Sequence, residues 1–238
     1  MVLIEQNWSN LIARIDSVAG KSGRSGKDIQ VVAVSKTRSS EEIEAAQRCG
    51  LSIVGENKVQ EAEGKKSSTS CFLMWHMIGR VQSNKAGKVV ELFDMVQSVD
   101  KKSLADTLNR RAAAIGRRLD ILVQINTSGL SHQVGVLPDS AVELVCQIAE
   151  ESKFLKVRGL MTIAPHSDNE GLIRESFAKV RRLSEEIEPL TSRKATMDYL
   201  SMGMSADFEW AIEEGSNMVR LGTAIFGERP PIGTEYRL

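Results

Sequence analysis

The stretch VVAVSKTRSS, residues 31 to 40, contains the unit from which the rest of the fold can be read. Four small apolar residues form a short run that is typical of a strand buried on both faces. Lys36 follows almost directly, and Ser39 with Glu42 has the spacing of a capping box that opens a helix. The stretch therefore predicts a strand, a short loop that carries a lysine, and a helix.

The same order of a short apolar run, a few polar or glycine residues and a longer amphipathic segment recurs about eight times along the chain. Strands that alternate with helices imply right-handed βαβ units and a parallel sheet. Eight units in 238 residues fit an α/β protein with a single (β/α)8 barrel of the TIM type, and an open doubly wound sheet is the alternative. With no domain boundary in view, residues 1–238 are expected to form one domain. The predicted strands lie near residues 30–34, 51–54, 73–78, 94–97, 120–125, 156–161, 197–201 and 217–221.

An extra N-terminal helix is predicted before the first strand. Its apolar residues recur at alternating spacings of four and three, which places them in one stripe on the helix surface. The helix is expected to stop in the flexible segment GKSGRSG, residues 20 to 26. The stripe consists of Ile4, Trp8, Leu11, Ile15 and Val18.

Composition excludes several classes of partner. Lys plus Arg and Asp plus Glu both number 31, so no net positive charge favours nucleic acid or an anionic membrane. No run approaches the roughly 18 apolar residues of a membrane span, and the N-terminus lacks a basic region followed by an apolar core. Cys49, Cys71 and Cys146 are widely separated and indicate neither a disulfide framework nor a metal site. We expect a soluble cytoplasmic protein.

Unusual residues follow the predicted strands. In a (β/α)8 barrel the carboxyl ends of the strands carry the functional residues. Lys36 comes after the first strand, Glu56 and Asn57 come after the second, and the third leads through His76 into a polar loop. These residues should therefore lie on one rim of the barrel.

The loops after the seventh and eighth predicted strands suggest a phosphate site. The segment SMGMS offers hydroxyls at Ser201 and Ser205 on either side of Gly203, and RLGTAIFG places Gly222 and Thr223 shortly after an arginine. Glycine lets backbone N–H groups approach an anion closely, and loops seven and eight are a common phosphate site in this fold. The alternative is that both glycines only permit tight turns.

The role of Lys36 also has two interpretations. A lysine at the end of a strand is often a solvated cap. A partly desolvated lysine, however, can attack a carbonyl, and one that faces a phosphate site suits a phosphate-bearing aldehyde. Pyridoxal 5′-phosphate is such an aldehyde, and its ring nitrogen also needs a protein partner.

Six ordered segments carry a resemblance to a known family. They are AVSKT, GENKVQEA, WHMIGRVQSNK, GLMTIAP, LSMGMSADFEWAI and VRLGTAIFGER. Together they resemble the pyridoxal phosphate homeostasis protein family, also called the proline synthase co-transcribed family, which is similar to the barrel domain of bacterial alanine racemase without its second domain. The resemblance implies pyridoxal 5′-phosphate as cofactor, held as a Schiff base on Lys36. It also implies phosphate contacts from Ser201, Gly203, Gly222 and Thr223.

The resemblance further implies that Arg220 lies near the pyridine nitrogen. A guanidinium stays protonated, so it disfavours a protonated ring nitrogen and weakens the cofactor as an electron sink. The chain differs from the family at His132 and Gln133, where members often have a lysine, and this puts any role of that lysine in secondary cofactor binding in doubt.

Three further residues are candidate cofactor contacts with a structural alternative. Asn57 either hydrogen-bonds the cofactor or caps the following helix. His76 lies within a strand, where a satisfied core histidine is the competing interpretation. Met202 either packs against the cofactor ring or fills space near the barrel core.

The family resemblance implies a carrier rather than a catalyst. Racemisation needs a second acid/base, which alanine racemase takes from a tyrosine on the other domain of a partner subunit. This chain has only Tyr199, within the seventh strand, and Tyr236, in the tail. We therefore expect Lys36 to hold pyridoxal phosphate as a reversible aldimine for release to apoenzymes, in a monomer or weak homodimer. The alternatives are a residual amino-acid racemase or other pyridoxal phosphate enzyme, and a Schiff-base aldolase acting on a sugar phosphate.

Overall fold

Eight parallel strands, numbered in chain order, form a closed barrel. The structure, a computed structural model, describes residues 2–130, 133–191 and 194–228. Each strand pairs with the next along the chain, and the first pairs with the last, which confirms the predicted (β/α)8 barrel. The strands are β1 (Gln30–Val34), β2 (Ile53–Glu56), β3 (Met74–Met77), β4 (Met95–Val99), β5 (Leu119–Ile125), β6 (Leu155–Thr162), β7 (Ala195–Ser201) and β8 (Met218–Leu221).

Helices surround the barrel and alternate with its strands. The predicted capping box is confirmed, because the Ser39 hydroxyl accepts the Glu42 N–H at 3.3 Å and the Glu42 carboxylate accepts the Ser39 N–H at 2.8 Å. The helices are α1 (Val2–Lys21), α2 (Ser40–Arg48), α3 (Val59–Ser68), α4 (Ala86–Leu92), α5 (Lys102–Ala114), α6 (Pro138–Glu151), α7 (Glu170–Ile187), α8 (Phe208–Glu213) and α9 (Thr223–Phe226). None of them is long and apolar enough to cross a bilayer, within the part of the chain that the structure describes.

The extra helix α1 covers the side of the barrel where the chain closes on itself. Its stripe is buried at Ile4, Leu11, Ile15 and Val18, and it packs against α2, α8 and α9. The helices after β7 and β8 have only six and four residues, so they leave a flank of the barrel that α1 covers.

The barrel has an outer and an inner core. Side chains alternate along a strand, so Ala33 packs outward among the helices while Val32 points to the barrel axis. Polar side chains occupy the barrel interior above this apolar layer, towards the carboxyl ends of the strands. The inner apolar cluster consists of Val32, Ile53, Met95, Leu122, Met161 and Met218.

The predicted strand positions agree closely with those observed. The largest difference is at β2, which was predicted at residues 51–54 and runs from Ile53 to Glu56. Leu51 is buried but lies before the first paired residue, so its burial extended the apolar run beyond the strand itself. As a result, Glu56 is the last residue of a strand and its side chain is fully buried.

Candidate functional site

The pairing of β1 with β8 brings Lys36 close to the loop after β8. Ala33 is in register with Leu221, and a Cβ built on Gly222 would lie 3.5 Å from the Val34 carbonyl oxygen. Lys36 follows the end of β1 by two residues and lies in the turn that leads to α2, at the carboxyl end of the strand. The Lys36 side chain is partly buried and makes no hydrogen bond or ion pair with any residue that the structure describes. Its amine is therefore available at the mouth of the barrel.

The residue after Lys36 has an unusual backbone conformation. Thr37 has φ +65°, in the left-handed region that residues with a branched Cβ rarely adopt. No other described non-glycine residue has a positive φ. Such strain persists only where surrounding contacts enforce it, and it concentrates at functional sites.

Two backbone N–H groups of the loop after β8 point at one position. The Gly222 and Ala224 N–H groups both reach the Ser205 hydroxyl oxygen, at 3.4 and 3.3 Å. The Thr223 hydroxyl is exposed and has no partner among the described residues. Long bonds from two N–H groups to one oxygen are easily exchanged for an anion, so this arrangement fits the oxygens of a phosphate.

The two glycines of these loops have different structural roles. Gly203 has φ +97°, and a Cβ there would lie 2.7 Å from the Ala211 Cβ and 2.9 Å from the Phe208 Cα. The fold itself therefore requires glycine at this position. A Cβ on Gly222 would make only ordinary contacts with Val34, so the fold does not require glycine there. A need for tight packing therefore does not explain Gly222, and its contact with phosphate stays a prediction.

Arg220 lies in the barrel interior with its guanidinium fixed by oxygen atoms. Its Nη1 donates to the carbonyl oxygen and the hydroxyl of Ser201 at 2.6 and 2.7 Å, and its Nη2 donates to the Thr162 carbonyl oxygen at 2.7 Å. Burial lowers the pKa of Arg220 to about 10, opposed by the charge of Asp207, so the group stays cationic at neutral pH. The Nε–H has no partner within residues 2–130, 133–191 and 194–228, and it can serve a ligand.

The Ser201 hydroxyl, a predicted phosphate contact, lies in the barrel interior. It is fully buried, accepts a hydrogen bond from Arg220 and donates one to the Gln97 side-chain oxygen at 2.7 Å. Ser205, the other hydroxyl of the same loop, is the one that faces Gly222. The structure therefore places Ser201 against Arg220 and Ser205 beside Gly222, and the contact of Ser201 with phosphate stays a prediction.

His76 extends this interior network. Its Nδ1 lies 2.9 Å from Nε2 of Gln97, which as a donor makes Nδ1 the acceptor. Burial lowers the pKa of His76 to about 4, so the ring is neutral. The side chain is 3% exposed and its Nδ1 is bonded, which agrees with the core interpretation, while a contact between His76 and the cofactor stays a prediction. Sequence reasoning missed Gln97, although a glutamine within the apolar run MVQSV is itself a signal of an interior hydrogen bond.

Met202 and Asn57 also had two interpretations. Met202 is fully buried in the core between strands and helices, which is the space-filling role. Asn57 does not cap α3, because Lys58 occupies the N-cap position. It is half-buried and lines a cavity of about 260 Å³ at the carboxyl end of the barrel together with Lys58 and Arg80. Asn57 therefore remains a candidate contact.

The position where the chain departs from the family lies partly outside the described residues. His132 falls in the short gap. Gln133 donates from its side-chain nitrogen to the Ile163 carbonyl oxygen at 2.7 Å, so it links the loop after β5 to the loop after β6.

Comparisons with known proteins extend these observations. A sequence model of the family described as "Alanine racemase, N-terminal domain" matches residues 7–230. The pyridoxal phosphate homeostasis protein of Aquifex aeolicus is 38% identical over 225 residues, which cover 94% of this chain and 97% of that protein. The protein of the same name from Vibrio cholerae is 37% identical over 231 residues, 95% of this chain and 96% of its own length.

Solved structures agree with this relationship. PipY of Synechococcus elongatus, with PLP bound, matches with a TM-score of 0.78 and 33% identity, covering 90% of this chain and all of that one. An alanine racemase of Clostridium difficile matches with a TM-score of 0.74 at 14% identity over 94% of this chain and 57% of the enzyme, which shows the shared fold alone. The family match and the identities above 30% over nearly the whole length show that this chain belongs to the pyridoxal phosphate homeostasis protein family, within the alanine racemase N-terminal domain fold.

Proposed function

We propose that this protein binds pyridoxal 5′-phosphate through Lys36 and acts in intracellular pyridoxal phosphate homeostasis, holding and releasing the cofactor without catalysis. The observation that carries the proposal is the unpartnered Lys36 amine beside the converging N–H groups of Gly222 and Ala224. The whole chain, residues 1–238, would act as one binding unit in the cytoplasm and deliver the cofactor to apoenzymes.

Each part of the cofactor has a matching group at this rim. When bound, pyridoxal phosphate supplies an aldehyde that condenses with a lysine amine. Gly222, Thr223 and Ser205 would hold the phosphate through N–H and hydroxyl donors, and Gly203 would shape the adjoining loop. The free Nε–H of Arg220 would face the pyridine nitrogen as a permanent donor, which keeps that nitrogen unprotonated.

The position of Tyr199 supports a carrier rather than a racemase. A racemase needs a second acid/base on the opposite face of its substrate. Tyr199 packs against the inner apolar cluster, and the Arg158 guanidinium stacks on its ring at 5.3 Å. It therefore does not reach the mouth of the barrel, and Tyr236 lies outside the described residues.

The first test is covalent mapping of the bound cofactor. We expect the purified or reconstituted protein to absorb visible light, and borohydride followed by peptide mass mapping to place a pyridoxyl group on Lys36. Lys36→Ala should lose the absorption, while Lys58→Ala, which removes a neighbouring exposed rim lysine, should keep it. A wild-type protein that takes up no cofactor would contradict the proposal.

A second measurement separates carrier from enzyme. The loaded protein is incubated with amino acids in deuterated water, and exchange of the α-hydrogen is followed by mass spectrometry. A carrier gives no exchange above that of free pyridoxal phosphate, whereas turnover that depends on Lys36 would establish the racemase-like alternative.

A further inference from the structure

Behind the Lys36 loop, on the outward side of β1 and β2, lies a cluster of charged groups formed by the buried Glu56, the nearly buried Lys65 and the partly exposed Glu61. The Lys65 ammonium donates to the carboxylates of Glu56 and Glu61, both at 2.7 Å, and to the Ser35 carbonyl oxygen at 2.6 Å. Its three N–H donors are thus all used. The Lys65 side chain is 11% exposed and that of Glu56 is completely buried.

This cluster holds the two peptide groups that flank Lys36. Lys65 binds the carbonyl of the Ser35–Lys36 peptide, and Glu61 Oε1 accepts the N–H of the Lys36–Thr37 peptide at 2.5 Å. The Ser35 hydroxyl adds a bond to the Glu56 carboxylate. The backbone is therefore fixed on both sides of Lys36 while the Lys36 side chain itself stays free of contacts.

Stability alone does not account for this arrangement. Burial raises the pKa of Glu56, with Lys65 and Ser35 opposing the shift, and Glu56 Oε2 is buried without a hydrogen-bond partner. Buried ion clusters with an unsatisfied oxygen are weak contributors to folding, and apolar side chains of similar volume are often as stable. The cluster contacts the strained residue directly, since Glu61 accepts the N–H of Thr37, whose φ is +65°.

We propose that Lys65, acting through Glu56 and Glu61, is the positioning residue for Lys36: it fixes the strained Ser35–Thr37 turn so that the Lys36 amine is presented towards the phosphate loops. The inference rests on the proposed function in assigning the ligand of Lys36. It goes beyond that function because it names Lys65, which touches no ligand, as a determinant of the rate at which Lys36 reacts.

The test compares Lys65→Met with Lys88→Met. Lys65→Met removes all three donors, whereas Lys88→Met breaks the exposed ion pair with Glu63 and leaves the Lys36 loop untouched. In the cofactor-free protein, we expect amide hydrogen exchange at Thr37 to become about tenfold faster in Lys65→Met only. The rate constant for reaction with pyridoxal phosphate, followed by visible absorbance, should fall by a similar factor, while affinity for inorganic phosphate stays unchanged.

A rescue variant separates positioning from general damage. Glycine adopts a positive φ without steric cost, so adding Thr37→Gly to Lys65→Met should restore much of the reaction rate. A general loss of structure would not be repaired by that change. If Lys65→Met does not fold, Glu61→Ala carries the same test, since Glu61 is partly exposed and its loss removes the acceptor of the Thr37 N–H.

Unchanged exchange at Thr37 and an unchanged reaction rate in a folded Lys65→Met or Glu61→Ala protein would overturn the proposal. A wild-type protein that fails to react with pyridoxal phosphate would instead overturn the proposed function. The exchange measurement on the cofactor-free protein still decides the positioning role in that case, because it does not depend on the ligand.

Discussion

Single residues of the phosphate loops can be separated by experiment, because Gly203 and Gly222 are glycine for different reasons. Alanine at Gly203 meets an unfavourable positive φ and a close contact with the Phe208 backbone. Gly203→Ala should therefore lose about 1–3 kcal/mol of unfolding free energy. Gly222→Ala should stay within about 0.5 kcal/mol of wild type, since its Cβ finds only ordinary contacts with Val34.

The same pair distinguishes folding from binding. A methyl group on Gly222 crowds the N–H groups that would hold phosphate, so Gly222→Ala should weaken pyridoxal phosphate binding about tenfold, the effect of one charged hydrogen bond. Urea unfolding gives the stability of both variants, and titration with cofactor gives the affinity. Wild-type affinity in Gly222→Ala would remove this loop from the proposed phosphate site.

Many single residues of the candidate site could be predicted from the sequence, and the residues whose roles could not be predicted share one cause. Lys36 and Gly222 stand out because a charged or flexible residue directly follows a buried strand. The inward direction of the Ser201 hydroxyl could not be predicted, since it depends on which neighbour its strand brings close. Lys65 was missed for the same reason: its partners Ser35 and Glu56 lie 30 and 9 residues away along the chain.

Among the elements, β3, β4, β7 and β8 share a polar layer inside the barrel. His76, Gln97, Ser201 and Arg220 each come from a different strand and are joined by consecutive hydrogen bonds. The strands themselves were predictable, because fully buried parallel strands form continuous apolar runs. The layer between them was not, since a hydrogen bond across the barrel leaves no periodicity in the sequence.

The neutral histidine of this layer makes stability depend on pH. Burial lowers the pKa of His76 from 6.5 to about 4 on folding, so between these pH values the unfolded chain binds a proton that the folded protein does not. The folded protein therefore keeps its full stability above pH 6.5 and loses stability as the pH falls towards 4. Between pH 6.5 and 4.5, the unfolding free energy lost through this one group amounts to about 2 kcal/mol.

His76→Asn removes the titration and keeps an acceptor for Gln97. We expect its unfolding free energy, measured in urea, to fall about 2 kcal/mol less than that of wild type between pH 6.5 and 4.5. The matched control is the exposed His166→Asn, which should follow the wild-type curve. Parallel curves for wild type and His76→Asn would mean that burial of His76 does not contribute to acid sensitivity.

At the scale of the whole molecule, α1 joins the beginning of the chain to the elements that follow β7 and β8. The Asn7 side chain donates to the Ile225 carbonyl oxygen at 3.1 Å, and Arg14 pairs with Glu209 at 2.9 Å. The amphipathic stripe predicted the helix itself. It could not indicate the location of the helix, because an apolar face shows that something is covered and not which elements lie beneath it.

This location links the stability of α1 to the ligand site. Leu11 is 2% exposed at the centre of the stripe, so Leu11→Ala should cost about 2–5 kcal/mol of unfolding free energy. Because α1 packs on α8 and α9, which adjoin the phosphate loops, the variant should also bind pyridoxal phosphate more weakly under conditions where it remains folded. Leu3→Ala, at a position on the same helix that is 59% exposed, should change neither quantity. Equal effects of Leu11→Ala and Leu3→Ala would show that α1 does not act as the cover of this flank. Lost stability with unchanged affinity for pyridoxal phosphate in Leu11→Ala would confine the role of α1 to folding.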